Sequence, residues 1–236
     1  ADARASASAR RLQDEIGGNA LFLVETLKSL LERGEIAPTR GLLPEGCPSS
    51  TGWRLPTNDL QLSIPSSVRE LIDQRLTHLP VELHSPLELV AVLGEDADFP
   101  VLCRASDVPP GELSRQLDRL ERRGFLKEVN AGHRFGHDLV RSGVYNNLPQ
   151  ERRRELHRRA GEALEIVHPG QVERLAQHFD LGGTPRKAHT YRLKAADRAR
   201  TLHDYQTAAG HYRKALASMA EPAIRYEALA RLEETL

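Results

Sequence analysis

"PPGELSRQLDRLERRGFLKEVNAGHRFGHDLV", residues 109–140, decides how the chain is read. Leu113, Leu117 and Leu120 recur at three- and four-residue spacing, the apolar stripe of an amphipathic helix, and Gly124 is placed to stop it. "FLKEV", a turn at "NAG" and "HRFGHDLV" then predict a β-hairpin running into a further helix. Working upstream, "SSVRELIDQRLTHLP" predicts a helix capped by Ser66 or Ser67 and closed by Pro80. "VELHSPLELVAVLG" predicts a second helix ending at Gly94, and "PVLCRAS" a short third. Helices followed by a two-stranded wing are the order of a winged helix.

On either side the pattern changes. Residues 37–66 carry Pro38, Pro44, Pro48, Pro56 and Pro65 with Gly41, Gly46 and Gly52 between them, so an irregular connection is expected, with "GWRL" as a short strand. Before it, "GGNALFLVETLKSLLERGEI" spaces Leu21, Leu23, Val24, Leu27, Leu30 and Leu31 as one apolar helical face, with Asn19 as N-cap and Gly34 as stop. After residue 150 helical stretches are cut by Pro169-Gly170 and Gly182-Gly183, and a last helix is expected from Pro222. In 188–220, Ala196, Ala199, Tyr205, Ala208, Tyr212 and Ala215 fall where a tetratricopeptide unit places its small and aromatic packing residues. The predicted fold class is mainly α: a helical lid segment over 1–36, an irregular linker over 37–64, a winged-helix domain with a small β-hairpin wing over 65–149, and TPR-like α-hairpin repeats over 150–236.

Composition narrows the function classes. The 236 residues balance 33 Lys+Arg against 33 Asp+Glu, so no global basic excess points to nucleic acid or anionic lipid. No apolar run approaches the roughly 20 residues of a membrane span. Cys47 and Cys103 make neither a disulfide framework nor a CxxC site, which fits a reducing compartment and predicts a cytoplasmic protein. No catalytic set is visible: there is no GxSxG elbow and no local Cys-His signature. His133 and His137 are four apart, but in a strand that separates them by about 13 Å, too far to share an ion, so no metal is expected.

Three stretches, in this order, resemble the regulatory half of STAND-type signal-transduction ATPases, such as large LuxR-type regulators and adenylate-cyclase-associated ATPases. "GGNALFLVETLKSLLERGEI" resembles the family's lid helix. "IPSSVRELIDQRLTHLP" with "LELVAVLG" resembles the link into the winged helix. "HRFGHDLVRSGVYNNLPQERRRELHRRAGEALE" resembles the wing, its histidine-containing end and the first superhelical helix. The resemblance implies nucleotide contact at Gly18, Asn19 and Ala20, with Ala20 standing where the family has a proline that packs on adenine. It also implies that His137 reaches the β-phosphate of ADP. Asp138 is expected to cap the helix that follows. The sequence contains no GxxxxGK[ST], so the chain is expected to follow the hydrolysing core and not to turn over ATP by itself. ATP or ADP would belong to the parent protein.

The function so implied is regulatory. Lid and winged helix contact nucleotide held by an upstream P-loop core. The repeats sense a peptide, a protein or a small-molecule inducer, and an attached effector domain delivers the output. The rival reading is a DNA-binding winged-helix regulator with a helical-repeat sensor. Its reading helix would present Arg115, Arg119, Arg122 and Arg123 to the major groove. Residues 111–160 hold twelve Lys/Arg against seven Asp/Glu, but Glu112, Asp118 and Glu121 share the exposed face. The run "ERRRELHRR" reads as a salt-bridged helical face, with Glu151 pairing Arg154 or Glu155 pairing Arg159.

Overall fold

The computed structural model describes residues 20–32, 34, 37–39, 52–54, 68–129, 132–218 and 231. It is mainly α with short antiparallel β-hairpins, as expected. The chain divides into two compact units, Ala1–Pro80 and Val81–Leu236.

The first unit holds α1 (Ala20–Glu32), β1 (Ala37–Thr39), β2 (Gly52–Arg54) and α2 (Val68–Thr77). "GWR" is a strand as predicted, but it is not alone: it pairs antiparallel with Ala37–Thr39, with Pro38 opposite Trp53. The larger correction concerns α1, which packs on α2. Of its expected apolar stripe, only Leu30 among the described side chains is on the buried face. Leu23, Val24, Leu27 and Leu31 are exposed, while Glu25, Thr26, Ser29 and Leu30 are buried. Leu21 and Asn19, the expected N-cap, lie outside the described side chains, as do Ser66 and Ser67. The physical reason is Arg75 of α2, itself only 2% exposed. Its Nη1 meets Glu25 Oε2, and its Nη2 and Nε reach the Glu32 carboxylate at 3.1 and 3.3 Å. A buried guanidinium must be met by carboxylates, so α1 turns its acidic side inward.

The second unit opens with α3 (Val81–Leu93), a 3₁₀ turn (Gly94–Asp96), α4 (Phe99–Ala105) and α5 (Pro110–Arg122). Leu83, Leu87, Leu102, Leu113, Leu117 and Leu120 are fully buried, each stabilising by roughly 1.5–3 kcal/mol. Gly124 ends α5 as predicted, at φ +70. Gly124 N–H donates to Glu121 O at 2.8 Å and Phe125 N–H to Leu120 O at 3.0 Å, a Schellman cap. β3 (Leu126–Val129) and β4 (Gly132–Phe135) then pair antiparallel as the wing. A third piece of sheet was not legible: Asp98 bridges Gly132, and His133 N–H donates to Ala97 O at 2.8 Å. A Cβ on Gly132 would stand 3.0 Å from that Ala97 oxygen, a tight contact that glycine avoids.

α6 (Asp138–Asn147), α7 (Gln150–Val167), α8 (Val172–Leu181), α9 (Pro185–Thr201) and α10 (Tyr205–Ser218) complete the unit, each from α7 onward packing on the next. α7 also packs on α3 and α4, so the helices after residue 150 share a core with those before it. Arg152 of the basic run pairs with Glu88 of α3 at 2.9 Å, and Arg159 pairs with Asp107. Glu151 meets Arg154 as expected, whereas Glu155 pairs with Arg158 at 2.8 Å in place of Arg159, whose guanidinium is taken by Asp107. Leu193, Ala196, Ala199, Ala208, Tyr212 and Ala215 form the core of the α9–α10 hairpin. Tyr205 departs from the expectation: it opens α10 and is exposed, with its ring edge-on to His203. The helix expected from Pro222 lies outside the described residues except for Arg231, which pairs with Asp197.

The α9–α10 turn carries a built-in strain. Asp204 N–H donates to Ala199 O and His203 N–H to Arg200 O, the same Schellman geometry as at Gly124. The left-handed position here is His203, at φ +61. That conformation costs an L-residue about 1–2 kcal/mol, and glycine's extra unfolded-state entropy offsets about 0.4–1 of it. His203→Gly is therefore expected to stabilise the protein by about 0.5–1 kcal/mol. A urea midpoint equal to or below that of the wild type would contradict this.

Candidate functional site at the wing

A cavity of about 1010 Å³ lies where the wing, the start of α6, the 3₁₀ turn and α8 converge, all within the second unit. His137 stands at its edge. The chain leaves β4 through Gly136, and His137 adopts an extended conformation at φ −151 and ψ 138. Its Nδ1 accepts the Leu139 N–H at 3.2 Å. The cap of α6 is therefore His137, not Asp138, which is the first helical residue. An Nδ1 that accepts carries no proton, so the neutral ring holds its N–H on Nε2, on the side not used by the helix.

The cavity rim is cationic. Lys127 of β3 and Arg134 of β4 are direct cross-strand partners, and both line it. Arg141 of α6 also lines it, anchored by donation from Nη1 to the Ala91 carbonyl at 3.2 Å. The acids Glu95 and Asp96 are engaged by one residue. Arg174 donates Nη2 to Glu95 at 3.0 Å and Nη1 to Asp96.

A polar chain crosses the wall of the cavity. The Tyr145 hydroxyl lies 2.8 Å from His157 Nε2, and His157 Nδ1 lies 3.1 Å from His178 Nδ1. Burial first, then the adjacent His178 and Arg153, push His157 down to about 4, so it is neutral at pH 7. A neutral His157 has one N–H, so one of its two ring nitrogens donates and the other accepts. His178 Nε2 lies 3.8 Å from Asp96 Oδ2.

Of the residues expected to touch nucleotide, Gly18 and Asn19 lie outside the described residues. Ala20 is the first residue of α1 in the other unit, and His137 alone sits at this cavity. The arginines of the DNA-reading alternative lie on α5. Arg115 is paired with Glu112 at 3.0 Å and Arg119 with Glu82 of α3 at 2.9 Å, while Arg122 is exposed and Arg123 half-buried. Sequence reasoning missed Lys127, Arg134 and Arg141 as a group, counting them only toward a local basic excess. It also missed the Tyr145–His157–His178 chain, whose members come from three helices. Among the described residues no group of three or more His, Cys, Asp or Glu is placed to hold a metal ion, and no helix is long and apolar enough to cross a membrane. Comparison with protein-family models, curated proteins and solved structures finds no match.

Proposed function

We propose that the chain is the regulatory half of a STAND-type signalling ATPase of the cytoplasm, acting as a nucleotide-responsive hinge between an upstream P-loop core and an effector domain. The observation that carries this reading is His137. By capping α6 through Nδ1, it leaves Nε2–H as a donor at a cationic cavity beside a helix N-terminus. An imidazole N–H beside the positive end of a helix dipole suits a phosphate oxygen. In the resting state the winged helix closes on ADP held by the core. The hairpins α7–α10 receive a peptide, protein or small-molecule inducer, which must bind the open state more tightly than the closed one to shift the balance.

The test uses the parent protein with its core and two variants. His137→Asn keeps an N-cap acceptor but removes the Nε2 donor, and His137→Ala removes both. A charge-assisted hydrogen bond is worth about 1.5–3 kcal/mol, so both variants are expected to hold ADP roughly ten- to a hundredfold less tightly in equilibrium dialysis. ADP affinity unchanged in both would sink the reading.

A further inference from the structure

We infer that the wing itself binds a small phosphate-bearing anion, gripped between Lys127 and Arg134 over the cavity that His137 borders. The inference deepens the nucleotide reading of that cavity but rests on residues that reading does not use. Lys127 and Arg134 are opposed in the antiparallel register, and the next pair is Glu128 opposite His133. Side chains directly opposed on a hairpin have Cβ atoms about 4.5–5.5 Å apart, and like charges there are destabilising. Exchanging one of the two would place an acid opposite a base, as in the neighbouring pair, yet both are cations. Both are exposed, and neither is within ion-pair distance of a carboxylate among the described residues.

The surroundings favour an anion of more than one charge. Arg141 has one donor committed to Ala91 O, which leaves its guanidinium with further N–H groups. Glu95 and Asp96 would oppose an anion; Arg174 engages both carboxylates, and its single positive charge offsets one of the two. Asp138 remains as an exposed acid at the rim. Together with the His137 Nε2–H, two cations on one hairpin face match the spread of a diphosphate better than a single carboxylate.

The test uses the chain as it stands, with pyrophosphate, ADP and adenosine titrated by calorimetry at two salt concentrations. Pyrophosphate and ADP are expected to bind alike, more weakly at high salt, with adenosine silent. ADP binding much tighter than pyrophosphate would place recognition on the base and overturn the inference. Lys127→Glu is the decisive variant. It turns a repulsive cross-strand pair into an attractive one, so the unfolding midpoint of the free protein is expected to rise while pyrophosphate affinity falls at least tenfold. A merely structural lysine would not move the two readouts in opposite directions. If Lys127→Glu and Arg134→Gln both bind pyrophosphate like the wild type, or the wild type does not bind it, the wing is not an anion site. If they lose binding while His137→Asn keeps it, the wing site stands and the phosphate role of His137 falls.

Discussion

Arg75→Ala is expected to destabilise the unit Ala1–Pro80 by about 3–5 kcal/mol, the range for stranding buried charge partners. The guanidinium is almost wholly shielded from water, and it contacts Glu25, which is buried too, and Glu32. Removing it takes the guanidinium from buried Glu25 and part-buried Glu32, with Lys28 still holding Glu25 at 2.8 Å. A loss of that size is comparable with the whole stability of a small domain. Amide hydrogen exchange in α1 and α2 should therefore accelerate by two orders of magnitude or more, while α8 and α9 keep their protection. The companion variant Arg75→Met with Glu25→Leu and Glu32→Met removes all three charges. Replacing a buried ionic cluster by apolar groups is often neutral or stabilising, so this variant is expected to recover most of the loss. An Arg75→Ala protein whose α1 amides exchange like the wild type would show that α1 is held by something other than this cluster.

The second large effect is acid sensitivity of the other unit. His157 is held at about 4 by burial, by His178 and by Arg153, against about 6.5 in an unfolded chain. A depressed histidine means that the unfolded state takes up the proton first. The stability associated with neutral His157 is complete above pH 6.5, is lost as pH falls from 6.5 to 4, and changes no further below that. The loss integrates to about 3 kcal/mol. The protonated ring would also sit beside His178 and Arg153, and with both nitrogens protonated it could accept no hydrogen bond. Urea midpoints at pH 7, 5.5 and 4 should fall accordingly. Other groups titrate in this window, so the comparison is with His157→Gln, whose amide titrates nowhere. Its midpoint should fall less between pH 7 and 4, by an amount equivalent to about 3 kcal/mol. Equal pH dependence in the two proteins would remove His157 as the cause.

Periodicity and turn chemistry carried much of the second unit. The leucine stripe of α5, the glycine that ends it and the alternation that makes the wing are local signals, each set by a few consecutive residues. The same holds for the alanine seam of α9 and α10, because small residues at helical spacing mark where two helices approach closely. The cap of α6 was misread by one position, since Asp is the usual capping residue and only the backbone turn at His137 shows which side chain reaches the Leu139 N–H. Tyr205 matched the spacing of its neighbours, but it begins its helix, beyond the reach of the seam.

What the residue order determined by itself is where helices and hairpins form, because those depend on neighbours within a turn or a strand pair. What only the tertiary structure decided is which face each element buries and which distant groups meet. α1 has an apolar stripe in any reading, yet Arg75, 50 residues from Glu25, turns its acidic side inward. Tyr145, His157 and His178 carry no motif; they become a hydrogen-bond chain because three helices converge. Lys127 and Arg134 are ordinary surface residues until strand register sets them opposite each other. Charge and hydrogen bonding act over a few ångströms of space, and separation along the chain does not encode that distance.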